Sequence, residues 1–130
     1  MSSIFSKIIN REIPAHIVAE DEAHIAFLDI NPLKNGHTLV VPKPEIDYVF
    51  DMNPEKLAQL HVFAQKVAHS IEKVIKCERI GVTIIGLEVP HVHIHLIPID
   101  SIDDMNFNNP KLKLTKQEFE SIASEIRHSF

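Results

Sequence analysis

Cysteine and glycine are scarce in this chain of 130 residues. The single cysteine, Cys77, excludes an internal disulfide and any metal site built from several cysteines. The three glycines do not form either of the common glycine-rich loops that cradle nucleotide phosphates. The chain has 13 Lys and Arg residues and 18 Asp and Glu residues, so its formal net charge is −5. This charge excludes a basic surface for nucleic acid or an anionic membrane. Any phosphate group that this protein binds must therefore be held by a few locally aimed donors.

Long apolar segments are also missing. No uncharged apolar run approaches the ~20 residues that a membrane helix needs, and residues 1–7 lack the apolar stretch of a signal peptide. Together with the lone cysteine, this favours a cytoplasmic protein. The content of 45% hydrophobic and 24% charged residues is typical of a globular protein. We therefore expect a single domain over residues 1–130 with no membrane or nucleic-acid partner.

The hydrophobic pattern predicts an α+β domain with a largely antiparallel sheet. Asn53 and Thr115 have the residue types of helix N-caps, the second in a capping box with Glu118. Helices are expected at 4–9, from 54 to 76, and after 115, and residues 100–113 are expected to form a polar loop. Strands are expected at 16–20, 23–29, 37–41, 79–85 and 90–99.

Nine histidines are present, and three of them alternate with aliphatic residues in the last predicted strand. Side chains in a strand point to opposite faces in turn, so His91, His93 and His95 share one face while the aliphatic residues between them can enter the core. Neutral imidazoles bind metals, transfer protons or attack electrophiles. This pattern indicates a functional site.

Two kinds of chemistry compete for this face. Three histidines at alternate positions span ~13 Å of strand, at about 3.3 Å per residue, so all three cannot reach one ion from a straight strand. His93 and His95 alone remain a possible pair of metal ligands. The spacing suits a relay better, in which the middle histidine attacks and its neighbours lie on either side.

Residues 91–97 match the signature His-φ-His-φ-His-φ-φ of the histidine triad superfamily, where φ is an apolar residue. The resemblance covers residues 4–99 and leaves 100–130 as a C-terminal extension. Further segments resemble the N-terminal half of that family in order and spacing: 4–9, 12–14, 20–21, 26–30 and 36–43.

This resemblance implies a five-stranded antiparallel sheet with one long and several short helices. It also implies that two copies pair side by side into a homodimer with a continuous sheet. Members of the family bind nucleoside phosphates and cleave or transfer at the α-phosphorus through a covalent nucleotidyl-histidine, without a cofactor.

The resemblance also implies roles for individual histidines. His93 resembles the nucleophile, and the backbone carbonyl of His91 accepts the other ring N–H of that nucleophile. His95 and His37 resemble the histidines that contact the phosphate and assist the leaving group. A fixed tautomer primes an imidazole for attack, which agrees with these roles.

The substrate-binding residues implied by the resemblance come mainly from the N-terminal half. Asp29 resembles the carboxylate that accepts hydrogen bonds from the ribose hydroxyls. The apolar walls around the base are expected to be Ile8, Ile13, Phe27 and Ile30.

Two departures from the family pattern matter. Ser3, Ser6 and Glu45 stand where many members carry ligands of a structural zinc, and hydroxyls do not replace thiolates on zinc, so we predict no structural zinc. The phosphate loop is about four residues shorter, with Leu87 in place of a glutamine and Glu88 where a serine or threonine often donates to phosphate. We expect Glu88 to lie near the triad, either turned away and paired with a lysine or an imidazolium, or placed to handle a proton.

The leading hypothesis is a hydrolase nearest to the nucleoside phosphoramidase branch. Its substrates would be purine nucleoside 5′-phosphoramidates or related conjugates of a nucleoside monophosphate. A nucleotide-binding or adaptor dimer with vestigial catalysis is the alternative from another class. Metal binding by the triad, a dinucleoside polyphosphate hydrolase and a nucleotidylyltransferase are further alternatives with less support.

Overall fold

The computed structural model of the chain describes residues 2–130. Its five strands are β1 (Ile17–Glu20), β2 (His24–Leu28), β3 (Thr38–Pro42), β4 (Arg79–Thr83) and β5 (Ile94–Ile99). Its helices are α1 (Ile4–Ile9), α2 (Pro54–Val74) and α3 (Lys116–Ser129), with short 3₁₀ turns at Val49–Asp51 and Ile102–Met105. The prediction of an α+β fold with five strands, one long helix and several short ones is confirmed.

The sheet has the order β1-β2-β3-β5-β4, and every neighbouring pair is antiparallel. The two strands that matter most for the site, β3 and β5, therefore lie side by side near its centre. Their register pairs Leu39 with His95 and Thr38 with Leu96. Since His37 immediately precedes β3, the topology brings it beside His95 although 58 residues separate them in the chain.

Each face of the sheet is covered by helices. The predicted apolar stripe of α2, which runs from Leu57 to Val74, packs into the main core together with residues from α3. The residues between the triad histidines also enter this core: Val92, Ile94 and Leu96. On the opposite face α1 closes a smaller apolar cluster, in which Phe5 and Ile8 pack against Phe27 and Leu39.

The helix ends follow the sequence signals. Asn53 Oδ1 accepts from the N–H groups of Glu55 and Lys56, and Thr115 forms the predicted capping box with Glu118. None of the helices within residues 2–130 combines the length and the hydropathy that crossing a bilayer requires.

The last strand begins later than predicted, at Ile94 instead of position 90. The backbone before it is bonded elsewhere, because the His91 N–H donates to Val89 O (2.8 Å) and the Val92 N–H donates to Ile46 O (2.7 Å). Only His95 of the triad thus lies within β5. The alternation of side chains is still present, since the residues between the histidines are buried in the core.

The other strands differ from the predicted ranges by one or two residues at their ends. β3 continues through Pro42, where the sequence predicted that this proline would stop the strand. Pro42 pairs with His24 as the last residue of the strand, a position where a missing N–H is tolerated. Its carbonyl remains free to accept a hydrogen bond, and His91 uses it.

Candidate active site

A cavity of about 410 Å³ lies beside the triad. The cavity is bordered by α1, by the end of β2, by the loop of residues 85–89 that precedes the triad, and by Phe107 in the segment after β5. Of the residues predicted from the sequence, eight line it: Ile8, Ile13, Phe27, Asp29, Ile30, Glu88, His93 and His95. A larger and more open groove of about 560 Å³ runs between α2 and the turn before β2, but none of its lining residues belongs to the triad.

The His93 ring has a defined tautomer. Its Nδ1 lies 2.7 Å from the backbone carbonyl of His91, and a carbonyl oxygen only accepts, so Nδ1 carries the proton. The other nitrogen, Nε2, therefore keeps its lone pair. The ring lines the cavity, with its centroid 4.9 Å from that of Phe5 in an edge-to-face contact. An imidazole held in this way is suited to attack an electrophile in the cavity.

His95 has the opposite tautomer, which a chain of hydrogen bonds defines. The Leu33 N–H donates to His37 Nδ1 (3.0 Å), so the proton of a neutral His37 is on Nε2. That Nε2–H donates to His95 Nδ1 (3.0 Å), which leaves the His95 proton on Nε2. Because His95 lines the cavity, it offers a hydrogen-bond donor there, beside the lone pair of His93.

Two predicted site residues do not line the cavity. His37 is 1% exposed and lies behind His95, so its contact is with that ring instead of with the cavity. His91 is fully buried and contacts His93 through its backbone carbonyl. The resemblance implied this carbonyl contact for His91. The direct contact of His37 with a phosphate, which the resemblance also implied, stays a prediction, and in this structure the ring contacts His95.

Burial keeps these imidazoles neutral. Desolvation is the largest cause that lowers the pKa of His37 to about 3, with a further contribution from the charge of His95. Desolvation, followed by repulsion from His93, lowers the pKa of His95 to about 4. Burial also lowers the pKa of His91, against the opposing effect of its hydrogen bond to Pro42. At pH 7 the three rings are therefore neutral, as the tautomers above require.

The carboxyl group of Asp29 lies between His37 and the cavity. Its Oδ1 accepts from the Asn31 N–H (2.8 Å), and its Oδ2 lies 3.5 Å from His37 Nε2. Burial raises its pKa above the usual value, and the nearby charge of Glu88 adds to this effect. Asp29 is thus a partly desolvated acceptor on the wall of the cavity.

Glu88 is exposed at the rim of the cavity. Its position near the triad agrees with the sequence prediction. Within residues 2–130, no lysine and no imidazole forms an ion pair with it. Its charge therefore adds to the negative potential around Asp29.

One group of side chains has the spacing of a metal site: the candidate ligand atoms of Asp29, His37 and His95 lie within 4.8 Å of one another. The tautomers argue against metal binding, because His37 Nδ1 accepts from Leu33 and His37 Nε2 carries the proton. Neither nitrogen of that ring offers a free lone pair. The alternative pair of His93 and His95 supplies only one free lone pair, that of His93 Nε2, which is too few for a stable metal site.

Sequence reasoning missed Phe107, which comes from the segment predicted as a polar loop. Its ring contacts His95 edge to face at 5.0 Å and lies 6.2 Å from the ring of His37, and it lines the cavity. Lys111 Nζ donates to the carbonyls of Phe107 and Asn109, and the Leu112 N–H donates to Pro32 O (2.9 Å). The available signal was that Phe107 is the only aromatic residue within 100–113.

The sequence matches the HIT domain over residues 10–102, which is more than half of its length. The chain belongs to the HIT, or histidine triad, family. This assignment places it among nucleotide-binding hydrolases at the level of the family.

Individual relatives agree with the family assignment. An uncharacterized HIT-like protein of Borreliella burgdorferi is 34% identical over 131 residues, which cover 95% of this chain and 94% of the relative. The adenosine 5′-monophosphoramidase hnt1 of Schizosaccharomyces pombe is 32% identical over 129 residues, which cover 97% and 96%. The crystal structure of a HIT-like protein from Bartonella henselae superposes with a TM-score of 0.85 at 31% identity and covers 99% of this chain and 97% of that chain.

Proposed function

We propose that this HIT protein hydrolyses nucleoside 5′-phosphoramidates, or related conjugates of a nucleoside 5′-monophosphate, through a nucleotidyl intermediate on His93. The observation that carries the proposal is the free Nε2 lone pair of His93, which the hydrogen bond from Nδ1–H to the His91 carbonyl leaves on the cavity wall. The full-length similarity to an adenosine 5′-monophosphoramidase supports this substrate class.

The lining of the cavity matches the parts of a purine nucleoside monophosphate. The base packs among the aliphatic and aromatic residues, the ribose hydroxyls donate to Asp29, and the phosphate lies at His93 and His95. The apolar part of the lining is formed by Ile8, Ile13, Phe27, Ile30 and Leu39. Such a mixture of an apolar wall and a few aimed polar groups is typical of small-molecule sites.

The reaction proceeds in two displacements at phosphorus. In the first, His93 Nε2 forms a bond to phosphorus, the P–N bond breaks, and the departing nitrogen takes a proton from water. The positive charge that develops on His93 strengthens its Nδ1–H donation to the His91 carbonyl. In the second, water attacks phosphorus, the P–N bond to His93 breaks, and nucleoside monophosphate leaves, while the proton lost by the attacking water neutralises the hydroxide left by the first step. The net reaction consumes one water and exchanges a P–N bond for a P–O bond.

His95 stabilises the phosphoryl oxygens without giving up its proton. Its Nε2–H donates to a non-bridging oxygen, and the His37 Nε2–H holds the other side of the ring. Because both rings are neutral and buried, this donor is already oriented before charge develops on the phosphate oxygens. The substrate needs no metal ion for this step.

The family resemblance and the sheet edge support a homodimer. β4 is an edge strand, and Val82 on it is 56% exposed. Exposed edge strands readily pair with another strand, and joining two copies of β4 would give the continuous sheet implied by the resemblance. In this proposal residues 1–130 form a single HIT domain, of which residues 100–130 are a C-terminal extension. Light scattering should give a dimer mass for the wild-type protein and a monomer mass for Val82→Lys. A monomeric wild-type protein would contradict the proposal.

The test of function is turnover of adenosine 5′-phosphoramidate, followed by ³¹P NMR or by chromatography of the AMP formed. The wild-type protein should release AMP, and acid quenching during turnover should trap a nucleotidyl adduct on His93 that is detected by mass spectrometry. His93→Ala should fold, bind AMP and lose nearly all turnover. His69→Ala, which changes an exposed histidine on α2, serves as the control. Turnover by His93→Ala, or an adduct on another histidine, would refute the assignment.

A nucleotide-binding protein with vestigial turnover is the second candidate. The exposed carboxylate of Glu88 on the cavity rim favours it, because a negative charge there opposes a bound phosphate. The same assay separates the two candidates. AMP binding with no detectable turnover of adenosine, guanosine or cytidine phosphoramidates would support the second.

A further inference from the structure

A cluster of hydrogen bonds holds the ring of His91, outside the residues that line the cavity. His91 Nε2 lies 2.7 Å from the Pro42 carbonyl, so this nitrogen carries the proton of the neutral ring. Its Nδ1 lies 2.7 Å from Ser3 Oγ and has a free lone pair. The Ser3 hydroxyl must therefore donate to His91, across a separation of 88 residues in the chain.

Glu45 fixes Ser3 in the orientation that this donation needs. Its Oε1 accepts from the Ser3 N–H (2.6 Å) and from the Ser6 hydroxyl (2.6 Å). The Ser6 N–H in turn donates to Ser3 Oγ (3.0 Å), which is the N-cap bond of α1. The hydrogen bond from the Ser3 backbone is the main reason that the pKa of Glu45 falls to about 2, so the carboxylate is ionised at neutral pH.

The cluster is continuous with the nucleophile. Both ring nitrogens of His91 are engaged, one by Ser3 and the other by Pro42. The backbone carbonyl of this immobilised residue is the acceptor for His93 Nδ1–H. Loss of a bond to the His91 ring would let residue 91 shift, and a shift of its backbone carbonyl would weaken the bond that holds the His93 ring and its tautomer.

We infer that Ser3 and Glu45 are positioning residues for His93 and act through His91. The inference rests on the proposed function only for its effect on turnover. Capping of α1 alone does not account for the arrangement, because an N-cap needs only an acceptor for the Ser6 N–H. The donation from the Ser3 hydroxyl to His91 is an additional bond, and it leads to the reactive part of the molecule.

The kinetic test compares Ser3→Ala with a conservative variant and a matched control. Loss of the bond to His91 should lower kcat about tenfold, which corresponds to ~1.4 kcal/mol, and should leave KM within about twofold. Ser3→Thr keeps the hydroxyl and should retain most of kcat, and Glu45→Gln keeps two acceptor lone pairs and should show a smaller loss than Ser3→Ala. The matched control is Thr115→Ala, which removes the hydroxyl N-cap of α3. Like Ser3, Thr115 caps a helix and has a glutamate partner, so its loss should reduce stability without lowering kcat.

A second readout does not depend on turnover. In protein labelled with ¹⁵N-histidine, the Nδ1 proton of His93 should be visible by NMR and protected from exchange with water. Ser3→Ala should accelerate its exchange several-fold, whereas Ser3→Thr and Thr115→Ala should not.

These readouts separate the failure of this inference from failure of the proposed function. If the wild-type protein turns over no phosphoramidate, the proposed function fails and the exchange measurement alone decides the inference. Unchanged exchange of the His93 proton in Ser3→Ala overturns the positioning role. Equal kcat in Ser3→Ala and in the Thr115→Ala control also overturns it.

Discussion

Burial of His37 should make the stability of this protein strongly dependent on pH. The pKa of this ring is about 3 in the folded protein, against 6.5 as the ordinary value, because burial disfavours its charged form. Above pH 6.5 both the folded and the unfolded chain hold the ring neutral, so its contribution to stability is fully present. As the pH falls below 6.5 the unfolded chain takes up a proton that the folded chain cannot take up, and stability is lost.

The size of the effect follows from these values. Between about pH 7.5 and pH 5, one such histidine lowers the free energy of unfolding by ~2 kcal/mol. His95, with a pKa of about 4, contributes a similar ~2 kcal/mol. Both contributions depend almost entirely on the pKa of 6.5 in the unfolded chain, because the pKa values of these two rings in the folded protein lie below 5.

The perturbation that isolates His37 is His37→Gln. An amide at this position has an acceptor for the Leu33 N–H and a donor for His95, although it cannot take up a proton near pH 6. We expect the variant to be less stable than the wild type at pH 7.5, since its buried hydrogen bonds fit less well. On acidification to pH 5 it should lose ~2 kcal/mol less than the wild type.

Urea unfolding at both pH values, at one protein concentration, measures this difference. With an m-value of about 2 kcal/mol/M, the wild-type midpoint should fall by about 1 M more than that of His37→Gln. His69→Gln, on the exposed face of α2, should behave as the wild type does. Equal losses on acidification in the wild type and in His37→Gln would refute the conclusion that the folded protein holds His37 neutral.

Three further predictions concern the cavity and the metal content. Phe107→Ala should expose His95 to water and reduce kcat/KM about tenfold, whereas Phe50→Ala, at an exposed aromatic residue outside the cavity lining, should leave kcat/KM unchanged. If the charge of Glu88 opposes the phosphate, Glu88→Gln should tighten AMP binding several-fold. If Glu88 handles a proton, the same variant should have a lower kcat and lose one limb of the pH profile. No change in AMP binding or in the pH profile would show that Glu88 has neither role. Elemental analysis should find less than one zinc per chain, and turnover should survive a chelator; restoration of lost turnover by added metal would support the metal alternative.

The sequence predicted the architecture well because local signals and hydrophobic periodicity agree throughout the chain. The α2 stripe and the caps at Asn53 and Thr115 are examples in which residue spacing alone identifies an element and its buried face. The start of β5 was predicted less well. It depends on the bond from the Val92 N–H to Ile46 O, a contact between distant residues that no local pattern contains.

Residues of the site could be predicted where the type of side chain indicates its role. They could not be predicted where their position depends on contacts with distant parts of the chain. The apolar residues Ile8 and Phe27 lie on the cavity wall as the family resemblance implied. Phe107 was missed because its segment matches no motif, and its contact with His95 depends on how Lys111 and Leu112 tie that segment to the rest of the protein.

The triad itself shows why a motif cannot assign chemistry on its own. His91, His93 and His95 are the same residue type at equal spacing, yet the proton is on Nε2 in the first, on Nδ1 in the second and on Nε2 in the third. The acceptors and donors that select these tautomers are the Pro42 carbonyl, the His91 carbonyl and the His37 Nε2–H. Two of the three come from the segment around β3, far from the triad in sequence. One ring is thereby left with a free lone pair beside a ring that offers an N–H. In the proposed reaction, this asymmetry lets one ring attack phosphorus while the other stabilises the phosphoryl oxygens in the same cavity.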